Sequence, residues 1–171
     1  MRLWIARVVI KSREQRDIRG RFRRELISEH VLGDVARLSW FEKGPSLAIE
    51  YLAKLGIAVV VEEHLPGTRL DGAATVDGDG TPVIGLTLRH DRLDSFWFTL
   101  MHECAHVMLH LKASGEAFVD DTEGPSDHDV REIEANRMAR DILIPQDAWR
   151  RSDASRLKTP EAITALADQL K

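Results

Sequence analysis

The stretch from Phe96 to Leu111 is an apolar run with His102-Glu103-Cys104-Ala105-His106 near its centre, and it constrains the fold more than any other part of the chain. It is too long for a strand and too short to span a membrane, so it predicts a largely buried helix, with Asp91 or Asp94 as its cap. Two imidazoles and a carboxylate are costly to desolvate inside such a helix unless each finds a partner. Residues four apart share a helix face, so His102 and His106 can both reach one ion at about 2.0 to 2.1 Å from each nitrogen. Glu103 is rotated about 100° from that face. That position suits it to take a proton from a metal-activated water, the base role this spacing has in metalloproteases, rather than to join the ligands. The bland alternative is a pair of hydrogen-bonded core histidines.

A catalytic zinc needs a third protein ligand and an open position. His110 continues the spacing, but the helical rise puts it about 12 Å along the axis from His102. No glycine lies between His106 and His110 to break the helix, so His110 is expected behind the ligands or in the core. Asp120 or Asp121 could fold back from an acidic loop. Glu132, in Glu132-Ile133-Glu134-Ala135-Asn136, lies nearer than its rival Glu134 to the edge of the apolar stripe Ala135, Met138, Ala139 and Ile142. Asn136 shares the face of Glu132 and can orient a ligand from behind. An exposed position on a helix is the bland alternative for either glutamate.

Around this centre the pattern predicts helices, then sheet, then helices. From Trp4 to Leu55 apolar residues recur at helical spacing, which predicts two to four helices, the last started by Gly44-Pro45-Ser46 and stopped by Gly56. Ile57 to Glu63 reads as a strand followed by a turn at Pro66-Gly67. Ala73 to Val76 and Val83 to Leu88 flank the glycine-rich Asp77 to Pro82, as in an antiparallel hairpin, so a sheet of about three strands is expected. The strand Val83 to Leu88 could offer an edge to an extended peptide. Ala117 to Val119 suggests a short strand, Val130 to Ile144 a helix stopped by Pro145, and Thr159-Pro160-Glu161 the capped start of a final helix.

A length of 171 residues suits one compact domain, and Cys104 is the only cysteine, so no intrachain disulfide is available. A reducing cytoplasm and a soluble protein are the expectation, since arginines interrupt the N-terminus and no run is long enough for a membrane. The net charge of -4 is unevenly spread. Arg13, Arg16, Arg19, Arg21, Arg23 and Arg24 crowd one stretch, read as a solvated helix face interleaved with Glu14, Asp17 and Glu25 rather than as a nucleic-acid surface.

Several longer stretches extend the zinc motif in both directions. They are Leu65-Pro66-Gly67-Thr68-Arg69-Leu70-Asp71-Gly72, Gly85 to Arg89, Asp94 to Glu103, and Glu132 to Asn136 through Leu143-Ile144-Pro145. In this order, from about Pro45 to Pro145, the chain resembles the ImmA/IrrE metallopeptidases, small gluzincin-like proteins associated with Xre-type repressors. The resemblance implies an α+β fold: a minimal zincin-like domain, its small, mostly antiparallel sheet packed on the active-site helix, with additional helices. Residues 1–171 are then expected to form one domain, with an N-terminal helical segment (1–44) packed on the core, a family-like core (45–145) and C-terminal helices (146–171). It also implies zinc held by His102, His106 and Glu132, with Glu103 as catalytic base, and a repressor or antitoxin protein as substrate, cut once in a linker. Cys104-Ala105 and Met138 depart from the family pattern but stay apolar. No convincing recognition helix precedes residue 45, so direct DNA binding is not expected. The rival reading is a zinc-binding antitoxin or regulator that acts without turnover. His64, His90 and Tyr51 are candidates for a second oxyanion donor.

Overall fold

The computed structural model describes residues 2–65, 70–87, 91–111, 117–121 and 130–171. Three helices come first: α1 (Arg2–Ser12), α2 (Glu29–Arg37) and α3 (Gly44–Lys54). Local chemistry explains their ends. Ser28 accepts a hydrogen bond from the Val31 amide and so caps α2, Pro45 opens α3, and Gly56, at φ +82°, stops it.

Four strands follow the order β1-β3-β2-β4: β1 (Ala58–Val61), β2 (Leu70–Val76), β3 (Pro82–Leu86) and β4 (Ala117–Asp121). The β2–β3 hairpin is antiparallel as expected and β4 pairs antiparallel with β2, while β1 runs parallel to β3. That order corrects one expectation. With β1 on one side and β2 on the other, β3 is an interior strand, so Val83 to Leu86 offers no edge to a peptide. Leu88 and the Pro66-Gly67 turn lie outside the described residues.

Both faces of the sheet are covered, which is why β1 and β3 read as continuous apolar runs rather than alternating ones. Ala58, Val60 and Val83 face Trp4 and Val8 of α1, whereas Val59, Ile84 and Leu86 join the larger core. A Cβ on Gly85 would stand 2.6 Å from the Trp4 ring, so the glycine lets α1 lie directly on the strand. The larger core is built on α4 (Leu93–Leu109), whose Phe96, Trp97, Leu100, Met101, Cys104 and Val107 meet α2, α3, the sheet and Ala139 of α5 (Val130–Leu143). The architecture is α+β, and α6 (Gln146–Arg151), α7 (Ala154–Leu157) and α8 (Pro160–Gln169) complete it. Thr159 caps α8 through the Ala162 amide, as its sequence predicts.

Two further expectations change. The N-cap of α4 is Arg92, without a side-chain cap; Asp94 sits in the first turn, paired with Arg92, and its Oδ1 accepts the Ser95 amide. The arginine-rich stretch is not a helix face. It follows α1 and folds into turns and two short 3₁₀ segments (Arg16–Ile18 and Arg24–Leu26). Three of its arginines are structural ties. Arg13 makes a bidentate pair with the buried Asp77 carboxylate at 2.8 and 3.0 Å, and Arg19 also binds Asp77. Arg24 donates to the carbonyls of Met108 (2.9 Å) and Leu111, satisfying acceptors that the end of α4 leaves open. No helix among the described residues is long and apolar enough to cross a membrane.

Candidate metal centre

Helix α4 carries His102, Glu103 and His106 into the interior, where all three are at most 2% exposed. Helix α5 lies against α4 and brings Glu132 over the two imidazoles. The Nε2 atoms of His102 and His106 are 3.0 Å apart, and the Glu132 carboxylate stands 3.2 Å from one and 3.3 Å from the other. These separations are close to the roughly 3.3 Å edge of a tetrahedron around an ion bound at 2.0 Å. His102, His106 and Glu132 therefore form a group whose donor atoms could hold one metal ion. The chemistry of the set agrees. Hydrogen bonds from His102 and then His106 hold the Glu132 carboxyl well below the usual carboxylate range, and burial pushes His106 down, towards its neutral form. An ionised carboxylate and neutral imidazoles are the forms that bind metals.

Glu103 is outside the convergent group and lies against β2. Gly72 of β2 makes its position available: a Cβ there would come within 2.5 Å of Glu103 Oε1 and 2.6 Å of Thr99 Cγ2. The sequence motif around Gly72 suggested no role for it, although glycine inside a strand signals a close approach. His110 stands behind His106, its Nδ1 3.0 Å from His106 Nδ1. Glu134 does not join the convergent group; its carboxylate accepts from His110 Nε2 at 3.1 Å. Asn136 is half-buried one turn beyond Glu132, and among the described residues its side chain makes no hydrogen bond to the group.

Cys104 is buried in the apolar core, where burial pushes its thiol far up, and it is not in the convergent group. Tyr51 packs on the core from α3 and His64 follows β1; neither hydrogen-bonds to the group among the described residues. His90 and the side chains of Asp120 and Asp121 lie outside the described residues. A groove of about 950 Å³ between α2, α5 and α8 is lined by Glu134 and Leu109 but by none of the three donors.

An α+β domain in which two buried histidines of α4 meet a glutamate of α5 has the donor set of a metallopeptidase-like protein. The chain belongs to the peptidase family described as the IrrE N-terminal-like domain, whose model matches residues 53–169. That match starts a little later than the resemblance seen in the sequence and extends through the C-terminal helices. Comparison with curated proteins and with solved structures gives no match.

Proposed function

We propose that the protein is a zinc-dependent endopeptidase that cuts a partner protein, an Xre-type repressor or antitoxin. The observation that carries this reading is the convergence of His102, His106 and Glu132 to within 3.0 to 3.3 Å of one another in a member of a peptidase family. Zinc held by these three side chains would supply Lewis acidity, polarising a scissile carbonyl and acidifying a water. Glu103 takes the proton of the attacking water and passes it to the leaving amine, which needs a carboxylate close to the ligands without being one of them. Packing of Glu103 between α4 and Gly72 restricts where that carboxylate can point. The repressor or antitoxin as substrate is carried by family resemblance, since fold and site leave the substrate open. A reducing cytoplasm suits the free, buried Cys104.

The test is to incubate purified wild type and Glu103→Gln with zinc and the repressor encoded beside the gene, following zinc content and cleavage together. Zinc in both proteins and cleavage by wild type alone is the expected result. Zinc in both and cleavage in neither would replace the peptidase with a zinc-binding regulator that acts by protein contact.

A further inference from the structure

Two glutamates of α5, two residues apart, grip successive histidines on and just after α4: Glu132 meets His102 and His106, and Glu134 meets His110 at the C-cap. We infer that His110 and Glu134 are positioning residues, an outer arm of the metal site that fixes which nitrogen of His106 faces the cation. The inference rests on the metal-binding reading above.

His106 Nε2 faces His102 and Glu132, so to offer a lone pair to a cation it must be bare, which puts the His106 proton on Nδ1. That nitrogen lies 3.0 Å from His110 Nδ1, and one of the two must donate while the other accepts. With His106 donating, His110 is protonated on Nε2, and that N–H points at Glu134 Oε2, 3.1 Å away. In both of these contacts a donor then meets an acceptor. In the opposite arrangement His110 donates to His106. This aims a His106 N–H at the cation position and sets the bare His110 Nε2 against the lone pairs of Glu134. The metal-competent tautomer is thus favoured at both ends of the chain.

The two ligand imidazoles differ in this respect. His102 Nδ1 is buried with no hydrogen-bond partner among the described residues, whereas His106 has the arm behind it. The His110 side chain is 7% exposed and that of Glu134 54%, so removing the glutamate leaves the packed core intact. A purely structural glutamate at so exposed a position contributes little. An effect on metal affinity without an effect on the fold is therefore the distinguishing readout.

The experiment measures zinc affinity by competition with a chromogenic chelator for the full chain as wild type, Glu134→Ala, Glu134→Gln, His110→Ala and the double alanine variant, with metal-free melting temperatures alongside. The inference expects each alanine variant to bind zinc about 10- to 100-fold more weakly. It expects the double variant to be no weaker than His110→Ala, because Glu134 acts only through His110. Glu134→Gln keeps an acceptor oxygen, so that variant should recover most of the affinity. The metal-free melting temperature of Glu134→Ala should match wild type. Affinities within twofold of wild type in both single alanine variants, or losses that multiply in the double variant, would overturn the arm while leaving the metal site standing. A wild type that binds no zinc overturns the metal site and the arm with it.

Discussion

Gly72 and Glu103 belong to different elements, yet neither position makes sense without the other. A methyl group on Gly72 would overlap both Glu103 Oε1 and Thr99 Cγ2, and the flexible end of the glutamate is what gives way most easily. Gly72→Ala is therefore expected to displace the proposed base while leaving His102, His106 and Glu132 in place. The expected result is a fall in turnover on the order of 100-fold at unchanged zinc content, with a stability loss of about 1–3 kcal/mol from overpacking. Steady-state kinetics beside metal analysis checks this, and unchanged turnover would show that Glu103 does not need its present position. At the same scale, the two histidines were legible from spacing alone, because i and i+4 must share a helix face. The choice of Glu132 was legible as a preference. The place of Glu134 was not, since only the approach of α5 to α4 shows that a long side chain on another face still reaches His110.

Elements are held by charge as well as by apolar contact. Asp77, in the turn between β2 and β3, anchors Arg13 and Arg19 and so ties the end of α1 and the segment after it to the sheet. Hydrogen bonds from Arg13 and then Arg19 hold its carboxyl far below the usual range. A depressed carboxylate pKa adds stability that is present above the unfolded value, near pH 4, and is lost as pH falls below it. Asp77→Asn is expected to cost about 2–3 kcal/mol at neutral pH. It should also flatten the loss of stability between about pH 4 and 2. Urea titrations at several pH values check both, and parallel pH profiles for variant and wild type would remove Asp77 from this role. The same contacts show where sequence stops informing. The α4 helix, the β2–β3 hairpin and the Thr159 cap are written in local spacing and turn chemistry, and they were readable. The coil around Arg16 to Arg24 and the interior position of β3 depend on partners far away in the chain, Asp77 and β1, which no local pattern names.

For the molecule as a whole, the sheet is a partition with α1 on one face and α4 on the other, and the site is built where α4 meets α5. The family match, beginning at residue 53, leaves α1 and α2 outside it, yet Trp4 of α1 and Leu32 of α2 are completely buried against the matched part. Those helices therefore support the elements that carry the site. The claim on which the account depends is that His102, His106 and Glu132 act together on one cation, and metal stoichiometry tests it most directly. Elemental analysis of the purified chain after equilibration with zinc and removal of loosely bound metal should find about one zinc per wild-type chain, none in His106→Ala, and much less than one in Glu132→Ala. Full zinc retention in Glu132→Ala and His106→Ala, or a metal-free wild type under the same conditions, would contradict it.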